Sequence, residues 1–245
     1  MQVSRRFYIF QWVVLILIFL VVFAGSFVRM SGSGMGCPDW PKCFGQWVPP
    51  TELTELPANY REAYLLKRQK KVEKFCAFLQ KIGLENTAKK IKNDPSVYIE
   101  EAFNARKTWT EYINRLAGFL AGNAMLLSFV WLLRYYRKRK WLILTALNLV
   151  LMAIEAWFGS IVVATNLVPW TITIHLFLAL VIIGIQLYLL HNISTKERQG
   201  VPQNAAFKWL SWLILLITFY QMFLGTQVRE AIDALVKQGF SRAEW

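Results

Sequence analysis

Histidine is scarce in this 245-residue chain: there are two, beside three cysteines and 15 acidic residues set against 28 basic ones. A zinc site built on Cys37 and Cys43 would need two more ligands close by. His175 and His191 lie instead within and at the end of an apolar run. No CxxC motif is present, so nothing in the spacing marks a reactive thiol. The first apolar segment has no small-residue cleavage site and is too long for a removable signal peptide, although Arg5 and Arg6 ahead of it resemble an n-region. It reads as a permanent anchor.

What fills the chain is apolar. With 56% hydrophobic residues and 11 Trp, it has the make-up of an all-α integral membrane protein, not of a soluble domain with one greasy helix. Hydrophobic runs at Phe7–Val28, Leu116–Leu133, Trp141–Ala164, Ile172–Leu190 and Phe207–Leu224 each approach the ~20 residues a helix needs to cross a bilayer. Arg5 and Arg6 precede the first run, Arg134 and Arg137–Lys140 lie between the second and third, and Lys196, Arg198 and Lys208 lie between the fourth and fifth. The short connection Asn166–Trp170 carries no charge. Basic residues mark the cytoplasmic side, which places the N-terminus in the cytoplasm. The long 29–115 segment is also basic, but long loops translocate regardless of charge. The net charge of +13 is therefore membrane topology plus one solvated outer domain, and nucleic-acid binding is a poor explanation for it.

The expected organisation is a first transmembrane helix over 1–28, an outer loop domain with a cysteine pair over 29–115, and transmembrane helices two to four over 116–190. A cytoplasmic loop over 191–206, a fifth transmembrane helix over 207–228 and an outer tail over 229–245 follow. Gly25-Ser-Phe-Val28-Arg29 closes the first span, and Gly225-Thr-Gln-Val228-Arg229 closes the fifth in the same direction. One four-helix unit and the first helix of a second, incomplete repeat account for this period. On the outer side Cys37 and Cys43 face a compartment where disulfides persist, as a structural staple or as a redox pair. The pairing expected is Cys37 with Cys43. Cys76, on the amphipathic stretch Pro57–Leu84, is expected to be a packed, free thiol.

Polar residues inside spans are costly and usually face a bundle interior or a cofactor. Span two opens on the outer side with Glu111, Asn114 and Arg115. Span four opens there too, and His175, five residues after Trp170, lies about 8 Å in, near the level of Asn114 and Arg115. A carboxylate, an amide and an imidazole at one depth form a candidate small-molecule site. Each has a plainer reading: Glu111 and Arg115 as an interfacial anchor, His175 as a hydrogen-bond partner for a neighbouring helix, His191 as a solvated cap. Glu155, near mid-membrane, is a proton relay or a carboxylic acid kept neutral by burial.

Gly25-x-x-Val28-Arg29 with Ser31-Gly-Ser-Gly34, the Cys37…Cys43 loop, Glu111-x-x-Asn114-Arg115, and Gly159-x-x-Val162 running through Pro169-Trp170 to His175-Leu176 resemble, in order, the heme A synthase family of cytochrome oxidase assembly proteins. The resemblance implies a two-half membrane enzyme of the bacterial inner membrane that oxidises the heme O methyl group to the formyl group of heme A. It implies Glu111 as the essential acid, His175 as ligand of the heme iron, and Arg29, Asn114 and Arg115 as further heme-site positions. It also implies a heme b in the second half, and contact with heme, membrane lipid and heme O synthase or other oxidase assembly proteins. One position departs: the family's Glu-x-x-His-Arg carries Asn114 here, and an amide is a poor iron ligand, which leaves His175 as the sole protein ligand. With the second unit ending after its first helix, the heme b ligands are absent from this chain. A non-catalytic heme-binding or assembly factor, or half of a two-part enzyme, is the alternative. A transporter-like bundle is disfavoured, since its helices would be broken near the midplane.

Overall fold

The computed structural model describes residues 3–98, 102–165, 169–194 and 204–237. These form α1 (Arg5–Met30), α2 (Tyr60–Lys81), α3 (Glu85–Asn93), α4 (Ala105–Tyr135), α5 (Arg139–Ala164), α6 (Pro169–Ile193) and α7 (Ala205–Lys237), with no strand among the described residues. Five of them, α1, α4, α5, α6 and α7, are long and apolar enough to cross a membrane. The protein is an all-α, multi-pass membrane protein.

Two boundaries differ from those read in the sequence. α4 begins at Ala105, not 116, because Asn104 caps it: its side-chain oxygen accepts the Lys107 N–H at 3.2 Å. Glu111, Asn114 and Arg115 therefore ride on a helix, and the loop domain ends at 104. α7 continues past 228 to Lys237, while the rest of the expected tail, 238–245, lies outside the described residues. So do most of the expected cytoplasmic loop, 195–203, and the uncharged connection at 166–168.

α1, α4, α5 and α6 close a ring in which each touches the next: α1 on α4, α4 on α5, α5 on α6, α6 back on α1. Outer denotes the bundle end that bears residues 31–104, and inner the opposite end. The middle of the bundle is apolar, with Val14, Leu15, Ile18, Ala124, Met125, Ile182 and Ile183 buried together. At the inner end Phe7 is wholly buried against Trp131 and Tyr136. Between these layers each helix contributes a buried polar side chain to one hydrogen-bonded chain. Gln11 Nε2 donates to Ser128 Oγ at 2.6 Å, Gln186 Nε2 to Gln11 Oε1 at 3.0 Å, and Asn148 Nδ2 to Gln186 Oε1 at 3.4 Å. Such bonds tie helices that have no hydrophobic effect between them in lipid.

α7 stands apart. It leans on α6, where Thr173 and Thr226 share a 2.9 Å hydrogen bond. None of its spanning window is buried, against 22 to 28% for the other four.

The loop domain rests on the outer end through α2. Buried Tyr60, Tyr64, Arg68, Val72, Phe75, Cys76 and Leu79 recur every three or four residues and form one face. That face joins Ala88 and Ile91 of α3 and Phe158, Ile161 and Val162 of α5 in one cluster.

Candidate functional site

The site begins where α1 ends. Arg29, half-buried, sits in the last turn of α1, where a cation complements the helix dipole. Gly32, at φ +63°, turns the chain back toward α4. Gly36 then lies so close to α4 that a Cβ there would sit 2.5 Å from the Lys107 carbonyl carbon and oxygen. The Thr108 hydroxyl donates to the Gly36 carbonyl at 2.9 Å. Only glycine permits this approach, and it delivers the cysteine loop onto the first turns of α4.

Cys37 and Cys43 are joined by a disulfide, and Cys76 is free and buried. The ring is held to α4 by two side chains. Glu111, 3% exposed, accepts the Cys37 N–H on Oε2 at 2.9 Å and pairs through Oε1 with Arg115, one turn along. Arg115 also donates to the carbonyls of Cys37 at 2.8 Å, of Lys42 at 3.3 Å and of Asp39. Asp39 in turn accepts the Gly45 N–H at 2.9 Å. The carboxylate and guanidinium are thus satisfied by each other and by the loop backbone, as buried charges must be.

Lys71 and Tyr64 of α2 stand within electrostatic reach of this clamp. Burial, and after it the Arg115 guanidinium, holds the Lys71 ammonium of α2 below the usual lysine range. Burial, helped by the Asp39 carboxylate, pushes the Tyr64 phenol up to about 12.

Deeper in the bundle a second group assembles on α5 and α6. His175 Nδ1 lies 3.1 Å from Glu155 Oε1, within ion-pair reach but off the line of a hydrogen bond. The imidazole stacks on Phe158 and packs over Gly159, where a Cβ would come 3.3 Å from its Cε1. On α4 the Asn114 side-chain oxygen sits 3.7 Å from where a Gly25 Cβ would be. Asn114 Oδ1, Glu155 Oε2 and His175 Nδ1 are all buried with no hydrogen-bond partner. Each of these orphaned atoms, one on each of three bundle helices, has hydrogen-bonding capacity that a ligand group or an ordered water would meet.

The residues predicted from sequence are therefore split. Glu111 and Arg115 come together on the loop, His175 comes together with Glu155, and Asn114 lies against α1. Among the described residues no hydrogen bond or ion pair joins Glu111 to His175. Sequence reasoning missed the Glu155–His175 pair and the inner layer of Gln11, Ser128, Asn148 and Gln186. Counting back from the turn between α5 and α6 puts Glu155 and His175 at similar depth but does not say which faces meet, and α1 has no short turn to α4 or α6 by which Gln11 could be placed.

A family model described as cytochrome oxidase assembly protein matches residues 8–244. Curated relatives named heme A synthase include one from Shewanella oneidensis, 24% identical over 87% of this chain and 54% of its own length. Another, from Bradyrhizobium diazoefficiens, is 27% identical over 86% of this chain and 54% of its own. A third, from Wolbachia pipientis, is 24% identical over 92% and 63%. The chain spans about half the length of the first two. No solved structure matches.

Proposed function

We propose that this chain, a member of the cytochrome oxidase assembly protein family, is the substrate-binding half of a heme A synthase-like oxidoreductase acting on the heme O methyl group. In this reading it lies in the bacterial inner membrane with a cytoplasmic N-terminus, and heme enters between the outer halves of α1, α4, α5 and α6. The observation that carries it is the Glu155–His175 pair, 3.1 Å apart: an imidazole backed by a carboxylate is the usual dress of a metal-ligating histidine. The donor set fits a heme with one protein ligand.

His175 would hold the iron through Nε2, with Glu155 on its Nδ1 side fixing ring orientation and tautomer. Asn114 would offer its amide to a polar group of the bound heme. When bound, the heme supplies its own methyl carbon as the position oxidised. Glu111 is the proposed proton-handling residue. Its contacts with Cys37 and Arg115 keep it rigid and bring the disulfide loop with it as the outer cover of the site. Arg29, in the last turn of α1, and Lys71 of α2 would supply positive charge suited to heme carboxylates. The heme b of the resemblance belongs to a second four-helix unit, of which α7 would be the first helix, and heme O synthase is the natural donor of substrate.

Heme loading of the full chain in detergent tests the reading. His175→Ala is expected to abolish or shift the heme absorption spectrum, and an unchanged heme content and spectrum overturns the ligand assignment. Glu111→Gln, which keeps an acceptor for the Cys37 N–H, is expected to retain heme but block formation of heme A when the chain operates with its second half. Asn114 in place of a second histidine favours one other reading, a heme carrier without chemistry. Heme A made with wild-type chain and lost with Glu111→Gln decides for the enzyme.

A further inference from the structure

α2 carries a second surface that the heme site does not use. Its buried face is accounted for by α3 and α5, yet Phe78, Ile82 and Leu84, around the turn into α3, are 46, 54 and 46% exposed. Single exposed leucines are ordinary. The depth of this group is what sets it apart.

Phe75 stacks on Trp170, the second residue of α6 and so at its outer end. One turn further on, Phe78 meets Trp157 of α5 edge-to-face at 6.1 Å between ring centres. Trp157 precedes the end of α5 at Ala164 by seven residues, which puts it about 10 Å below that end. Counted from Trp141, just past Arg139 and Lys140, the ~30 Å of bilayer hydrocarbon ends near residue 160. Trp157 is itself half exposed, on the surface a spanning helix shows to lipid. α2 thus descends alongside α5 to bilayer depth, and the α2–α3 turn lies beyond the Phe78–Trp157 contact.

The charge around the turn agrees. Lys74, Lys81, Lys89, Lys90 and Lys92 surround it, all exposed, with Glu85 the one acid between them. Aliphatic and aromatic tips flanked by lysine are the make-up of a segment lying in a bilayer interface, with apolar groups among the acyl chains and ammonium groups at the phosphates.

We propose that the α2–α3 turn is an interfacial membrane anchor: Phe78, Ile82 and Leu84 insert into the leaflet bordering the outer ends of α5 and α6, and the surrounding lysines bind its anionic headgroups. The loop domain is then seated on lipid as well as on the bundle. Nothing in this depends on the heme reading.

The native cysteines make the test direct, because Cys37 and Cys43 are paired and Cys76 is buried. Ile82→Cys, Leu84→Cys and, as control, Leu66→Cys are labelled with a polarity-sensitive fluorophore and the full chain reconstituted in vesicles of zwitterionic and anionic phospholipid. Leu66 is 59% exposed and about 24 Å back along α2 from Ile82. Labels at 82 and 84 are expected to emit to the blue of the label at 66, to lose most of their emission to lipids carrying a nitroxide high on the acyl chain, and to resist aqueous iodide. Iodide quenching at 82 and 84 equal to that at 66 overturns the proposal. Shielding from iodide without quenching by lipid nitroxide also overturns it, since the turn is then covered by protein. All three positions are exposed, so the substitutions cost little stability, and unlabelled-background signal from Cys76 is read from the wild-type chain.

Discussion

The two halves of the bundle use buried polar groups in opposite ways. At the inner half, Gln11, Ser128, Asn148 and Gln186 bond to one another across all four helices, and between them only Asn148 Oδ1 is left without a partner. At the outer half, Asn114 Oδ1, Glu155 Oε2 and His175 Nδ1 are buried with none. The inner half has closed its polar groups on themselves and so fixes how the helices are set against each other. The outer half does not hydrogen-bond these groups to one another, and is held from outside, by the loop clamped on Glu111 and Arg115. The ligand site proposed above would use that division: a rigid base, and an end with hydrogen-bonding capacity left over for a bound group.

The largest test removes the clamp. Glu111→Ala leaves the Arg115 guanidinium and the Cys37 N–H without their acceptor, and breaking a buried ion pair from one side costs about 3–5 kcal/mol. Faster proteolysis of residues 31–104 and a lowered unfolding temperature are expected. An unchanged protease pattern would show that the outer end is not held by this residue. Gly36→Ala attacks the same docking by overpacking against Lys107, with an expected loss of about 1–3 kcal/mol in the same assays and no change at the inner end.

A smaller effect probes the opposite half. Gln11→Leu removes the bond to Ser128 and the one from Gln186, and membrane hydrogen bonds of this kind are worth about 0.6–2 kcal/mol. Its signature is a lower denaturant midpoint in micelles with the loop still protease-resistant. If Gln11→Leu loosens the loop as much as Glu111→Ala does, the two halves are not independent and the comparison fails. The smallest effect is chemical. Burial raises the Cys76 thiol above its usual range, so less of it is thiolate near pH 8. Alkylation of the native chain is expected to be slow, rising to one thiol per chain on unfolding without reductant. Rapid native labelling would place Cys76 outside the α2–α5 cluster.

Much of this was legible in the sequence because hydropathy and charge act locally. All five spans, the amphipathic α2 and the Cys37–Cys43 pairing follow from runs and spacings within one stretch of chain. α3 escaped notice because nine residues are too few to display a period. The role of Glu111 was hidden for a different reason: its partner Cys37 is 74 residues away, and a carboxylate at a helix entrance looks the same whether it meets water or a backbone N–H. Glu155 was visible as an intramembrane acid but not as the neighbour of His175, since that requires knowing which faces α5 and α6 turn to each other. The four inner polar residues were overlooked because an amide or hydroxyl inside a span is a weaker signal than a charge.

The spacing of the clamp's parts also sets an order for making the protein. The Cys37–Cys43 ring has a sequence separation of six, so its closure needs nothing synthesised after Cys43. Its attachment needs Glu111 and Arg115, which leave the ribosome only after the whole of α2 and α3. During that interval both cysteines are present but the residues that tether their loop are not, at the end of an α1 already able to sit in the bilayer. Pairing of the cysteines and attachment of their loop to α4 therefore draw on different stretches of the nascent chain, and the second completes what the first prepares.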